Sequence, residues 1–347
     1  MSRLKDNRKK AYTEQDWDMV IKYGELEFKQ HPQSIKILND LAIAYFNKKD
    51  YDNALICCDK IQETVPTDDL KVLSDKYSMR YMRYNEVLGE IYYLQGKDKE
   101  ALEVFDRLKV LGPYFSKKYS LTAAILIRQK NYKGAAKEYA DMLTHCPRHF
   151  QTATNGLLDL VDIDPLNEAT FTTLFHIYSE AKDIQNVIVS YESMRKKGMA
   201  SKKFLYILIH MYSCTGKYDE AMKVAQEEIV KQPDNPYLHI FLSRVYQSLM
   251  EFSKAKICIK KASALDKQHE ERYRSFYDVL NKNLRSCEKK LLESINMHLK
   301  DKQCLDAIRD SEQLLRNVPD NKSYQTVFLK VIEKSISIFL AEENIEE

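Results

Sequence analysis

The chain has 347 residues, 30% of them charged, with only eight glycines and eight prolines. Scarce turn formers beside plentiful Lys, Glu, Leu and Ala point to helix throughout. Its 54 basic and 51 acidic residues are well mixed and leave a formal net charge of +3, which excludes the clustered basic face of a nucleic-acid footprint.

A phrase recurs along the chain, and its prolines set the register. An aromatic residue or a substitute stands fifteen positions before each proline, and a small residue twelve before. In chain order the sets are Trp17, Val20, Pro32; Tyr51, Ala54, Pro66; Asp98, Ala101, Pro113; and Tyr132, Ala135, Pro147. Then come Tyr218, Ala221, Pro233 and Cys304, Ala307, Pro319, while Ile184, Val187, Met199 and Phe252, Ala255, Lys267 keep the frame without the proline. A front half precedes each, as in Leu38, Leu41, Ala42, Tyr45, or Asn85, Leu88, Gly89, Tyr92. The first front half (Leu4, Asn7, Arg8, Ala11) fits poorly. Apolar residues three and four apart put one stripe on each of two helices. Small residues let the pair approach closely, and proline closes the second helix.

Three stretches break the frame. Residues 69–81 keep the three/four spacing and predict one long helix over about 68–95, capped by Thr67 or Asp68. Residues 150–167 predict an unpaired, irregular helix stopped at Pro165, a hinge or boundary between two subdomains. Residues 270–287 run into the last unit as a helix of about 270–300. An amphipathic helix and the acidic EENIEE end the chain. The expected organisation is an array over 1–149, a hinge at 150–167, a second array over 168–321, and a cap with its tail over 322–347.

Units starting near residues 168, 202 and 236 follow at a spacing of 34 residues. This period, with its front and back halves, resembles the tetratricopeptide repeat, pattern W-x2-L-G-x2-Y…A-x3-F…P, over about eight units and most of the chain. The resemblance implies an all-α fold, an α–α superhelix of about eight helix pairs whose last apolar face is covered by a capping helix. It also implies a groove lined by the first helices and a role in assembling proteins.

No Gly-rich phosphate loop, G-x-S-x-G elbow or H-E-x-x-H helix is present. His145 and His149 are separated by Pro147, which breaks the helix that would align them. No catalytic residue, metal ligand or cofactor is therefore expected. Seven scattered cysteines without a C-x-x-C pair fit a reducing compartment. No run approaches the roughly 18 apolar residues of a membrane span. The expected location is the cytoplasm.

The expected groove residues are Asn39, Arg83, Glu86, Tyr93 and Arg128, then His176, Lys203, Tyr206, His210, Tyr237 and Arg244. Aromatics alternating with mixed charges suit a partner peptide or helix, and Tyr206 and Arg244 are expected to carry most binding energy. Some tetratricopeptide proteins hold a chaperone's C-terminal carboxylate in a Lys/Asn clamp. The matching positions here hold Asn39 and Ile43, then Glu86 and Glu90, whose carboxylates would repel it. The expected function is a non-catalytic scaffold or adaptor in a larger assembly. The alternative is an RNA-binding helical-repeat protein, which needs a basic groove.

Overall fold

Helices dominate the computed structural model, which describes residues 2–64, 70–112, 114–180 and 183–343. Pro66, Thr67, Asp68, Pro113 and the end of the acidic tail lie outside the described residues. Within the described residues the chain is all-α, with eighteen α-helices, two short 3-10 turns and no strand. It divides into two compact units, Met1–Leu174 and Phe175–Glu347, the division falling within one helix, α10 (Glu168–Glu180).

In the first unit, α1 (Ser2–Thr13) pairs with α2 (Trp17–Gln30), and α3 (Ile35–Asn47) with α4 (Tyr51–Thr64). The long α5 (Leu70–Leu94) pairs with α6 (Asp98–Leu111), and α7 (Ser116–Arg128) with α8 (Tyr132–His145). A further regular helix, α9 (Phe150–Ile163), packs on α8. The second unit continues with α11 (Ile184–Lys196), α12 (Lys202–Cys214), α13 (Tyr218–Lys231), α14 (Pro236–Ser248) and α15 (Phe252–Leu265). It ends with α16 (Glu270–Lys300), α17 (Cys304–Asn317) and α18 (Lys322–Glu343), which packs on α17.

Within each unit, most helices that are neighbours in sequence also pack together, so an apolar stripe is buried by the next element of the chain. The small residues of the second helices, Ala54, Ala101, Ala135, Ala221, Ala255 and Ala307, are all 0% exposed. Bulk is matched across the contacts. A Cβ on Gly89 of α5 would stand 2.5 Å from the Phe105 ring of α6, and one on Gly156 of α9 would stand 2.2 Å from the Tyr139 ring of α8. The second helices stop where expected. His31, Cys146, Gln232 and Val318 each cap a helix immediately before Pro32, Pro147, Pro233 and Pro319, since the residue before proline is driven out of the helical region.

The poor front half of α1 has its own explanation. Arg8 is 1% exposed, its Nε donates to Glu27 of α2 at 2.7 Å, and its guanidinium also pairs with Asp40 of α3. Gly24 of α2 makes room for Leu41 of α3: a Cβ there would stand 2.7 Å from Leu41 Cδ2 and only at ordinary contact distance, 3.6 Å, from the Arg8 stem. In the second unit, 31-residue α16 is about 46 Å long at 1.5 Å per residue. Past it, α17 reaches α15: Asn317 Oδ1 accepts from the Phe252 N–H at 3.2 Å, and Ser253 Oγ donates to the Asn317 carbonyl at 2.6 Å.

Phe105 is 0% exposed and has nowhere to swing. Gly89→Ala is therefore expected to cost about 1–3 kcal/mol through overpacking, read as an earlier urea midpoint. Adding Phe105→Leu should recover part of that loss, because the clash is with the ring.

Candidate functional site

In the first unit, α5 and α7 bring four of the five expected residues together. Glu86 and Glu90 stand one turn apart on α5, and Glu90 Oε2 accepts from Lys117 Nζ of α7 at 2.7 Å. Burial, then the Glu90 carboxylate, push Glu86 up to about 7 against the pull of Lys118, Lys117 and Arg83. Lys118 is buried and donates to the carbonyls of Gly112 at 2.6 Å and Phe115 at 3.1 Å. Its ammonium is pushed down to about 8 by that burial. One turn beyond Glu90, the Arg128 guanidinium lies 4.6 Å from the Tyr93 ring centroid and pairs with Asp98. Arg83 is exposed. Asn39 is not part of this surface: it is 3% exposed, and its Nδ2 donates to the Ile35 carbonyl of its own helix at 3.0 Å.

In the second unit, α12 and α14 lie side by side. Asn235 caps α14 by accepting from the Tyr237 N–H, and its Nδ2 donates to the Tyr206 hydroxyl at 2.9 Å. Tyr206, thus fixed, is 2% exposed. Its ring stacks on Phe241 with centroids 5.0 Å apart and planes 12° apart, and meets Tyr237 edge-on at 6.2 Å. The half-buried Arg244 places its guanidinium 5.4 Å from the Phe241 ring centroid. Tyr206 is therefore the support of the surface, while Tyr237, Arg244 and Lys203 are its half-exposed parts. His210 sits 3.3 Å from the Cys214 sulfur, and burial, then Arg244, hold its imidazole down at about 4, neutral at physiological pH. Phe175 stands edge-on to His210 at 6.4 Å and packs beside the exposed His176 at 6.1 Å.

One backbone feature recurs where first helices end. Gln15, Lys49, Gly96, Lys130, Gly216, Met250 and Lys302 all take positive φ, from 56° to 74°, two residues before a second helix begins. Gln15 and Lys49, Gly96 and Lys130, and Gly216 and Met250 are each 34 residues apart. Helices of 13 and 14 residues alternate around these turns, as in α3 and α4, α7 and α8, α12 and α13, and α14 and α15. The hairpins are tetratricopeptide-like in fold.

A family model described as a PPR repeat matches residues 206–227. Among curated proteins, the chain is similar to anaphase-promoting complex subunit 3 of Schizosaccharomyces pombe, 20% identical over 254 residues, which covers 61% of this chain and 38% of that protein. The chain thus spans well under half the length of that relative. Among solved structures it is similar to the MamA protein, at 14% identity and a TM-score of 0.41, covering 53% of this chain and 93% of that one. It is also similar to a tetratricopeptide repeat protein from Parabacteroides merdae, at 11% identity and a TM-score of 0.35, covering 80% of this chain and 98% of that one.

Within the tetratricopeptide frame, sequence reasoning missed Lys118, Phe175, Phe241 and Asn235. Phe241 and Arg244 were legible as a pair three apart on one helix face; the role of Asn235 lay in the N-cap signature Asn-Pro before α14. Among the described residues no group of three His, Cys, Asp or Glu side chains is placed to hold a metal ion, and no helix is long and apolar enough to cross a membrane.

Two titrations check these surfaces. Glu86, raised above its ordinary value, contributes stability that is complete below about 4.5 and is lost as pH rises through about 7. Glu86→Gln should therefore melt at a higher temperature than the parent at pH 8 and show no such gain at pH 4.5. His210, held low, binds fewer protons folded than unfolded between 6.5 and about 4, so acid destabilises through it. Its imidazole signals in an NMR titration should move with a midpoint near 4.

Proposed function

We propose that this protein is a non-catalytic scaffold that holds a partner peptide or helix against the first helices of its repeats, within a larger assembly in the cytoplasm. The observation that carries this reading is the α12–α14 surface. There Tyr237 and Arg244 are half exposed yet held by a buried stack, so little side-chain freedom remains to be lost on docking. The groups around them are aromatic, cationic or neutral, a set that recognises other side chains. Seven free cysteines support the reducing location. The S. pombe relative is by its name a subunit of a multiprotein complex, which agrees with an assembly role for the shared part.

The short PPR match gives the RNA reading a specific motive, and one experiment separates the two. A photo-crosslinking amino acid is placed at the half-exposed Gln247 of α14 or at the exposed Lys223 of α13, and adducts are recovered from cells of the source organism. A discrete protein adduct from position 247 and none from position 223 is the expected result. Equal yields at both positions would remove the docking face, and adducts with RNA that vanish steeply with salt would replace a protein partner by a nucleic acid.

A further inference from the structure

A helix that ends a stack of hairpins closes it when its outer face is polar. The first helix of the chain meets this demand, since the residues that α1 leaves exposed are Arg3, Lys5, Asp6, Lys9, Lys10 and Thr13. The last helix, α18, does not. One of its stripes is covered: Tyr324, Val327 and Val331 pack in a cluster with Ile295 of α16 and Ala307 and Leu314 of α17, and Cys304 Sγ lies 4.0 Å from the Ser335 carbonyl oxygen. A second stripe begins at Leu329 and recurs at Ile332, Ile336, Phe339 and Leu340. Of these, Leu329, Ile336, Phe339 and Leu340 are 45% to 61% exposed. Apolar residues scattered singly over a surface are ordinary, whereas these form one contiguous patch. Their spacing of three and four is that of a coiled-coil seam.

We infer that α18 is a self-association surface, through which two copies of the chain pair helix against helix and antiparallel. Ridges of side chains three and four apart fit the grooves between the same ridges on another helix, so the stripe is complementary to a second copy of itself. Charge sets the direction. Lys330 and Glu333 stand one turn apart, both exposed, beside the apolar stripe. In a parallel pair each would meet its own like charge across the seam. In an antiparallel pair centred near Ile332, Leu329 lies opposite Ile336, and Lys330 of each copy lies opposite Glu333 of the other. A twofold axis makes both charge contacts at once, an isologous arrangement that closes at two chains. From Leu329 to Leu340 the seam is about 16 Å long at 1.5 Å per residue, which belongs with small, reversible interfaces. It shares no residue with the α12–α14 face, so either surface stands without the other.

The test is sedimentation velocity of the full chain over a concentration series, where a reversible dimer should build up in the micromolar range. Leu329→Lys combined with Ile336→Lys should leave only monomer. Both side chains are exposed in the single chain, so circular dichroism should show the helices intact. Lys330→Glu alone and Glu333→Lys alone should each weaken the dimer by about tenfold, because each sets like charges at both symmetric contacts. The double exchange Lys330→Glu/Glu333→Lys should restore it. A monomer at every concentration overturns the inference, and so does a dimer indifferent to the two lysines in the stripe. Single exchanges without effect, or a double exchange that restores nothing, overturn the antiparallel pairing. A photo-crosslinking amino acid at position 340 that captures a different protein from cells, and no second copy, replaces self-association by a foreign helix and overturns it as well.

Discussion

Everything in this molecule depends on how much side-chain volume fits where two helices cross. A first helix and its neighbour approach closely only where one of them is small. Six fully buried alanines meet this demand on the second helices, and Gly89 and Gly156 meet it where Phe105 and Tyr139 are large. Gly24 meets it where Leu41 of α3 is large. What is conserved between the hairpins is therefore a sum of volumes, and the residue types at either side trade against each other. Because that sum fixes the separation of the helices, it also fixes where the outer residues of α5, α7, α12 and α14 stand.

The same bookkeeping explains what the sequence could reveal. The period, the alanines and the closing prolines are local signals, repeated in one frame, and they specify helices and pairing without knowledge of distant contacts. The surface is different. A helical position tells which way a side chain points from its own axis, and the neighbouring helix decides whether it stays exposed. Tyr206 points toward α14 and is covered by Phe241 and Tyr237. Asn39 faces the packed side of α3 and turns its amide back to the Ile35 carbonyl. Arg128 and Tyr93 were readable because long or flat side chains at the ends of helices escape such cover. Phe175 was missed for the opposite reason, since an aromatic residue in an apolar stripe reads as core until its contact with His210 is seen.

The two units also differ in how they manage charge. In the first, the carboxylates of α5 and the cations of α7 neutralise each other across the gap, and Glu86, caught between burial and Glu90, carries the cost. In the second, α12 and α14 hold no Asp or Glu, while α13 mixes Asp219, Glu220, Glu227 and Glu228 with Lys223 and Lys231. Nothing in the helix-pair scaffold requires either arrangement, because outer positions leave the volume at the crossing unchanged. That freedom is how one repeat can serve different recognition tasks along a single chain.

The left-handed turn residues carry a further meaning. Glycine is the comfortable occupant of that conformation, yet Gln15, Lys49, Lys130, Met250 and Lys302 occupy it. Each holds roughly 1 kcal/mol of local strain, repaid by the helices on either side. These turns lie far apart along the chain, so their relief by glycine would add up almost independently. The protein thus keeps a row of dormant adjustments, any of which selection could spend to harden one hairpin without disturbing the faces that its neighbours present.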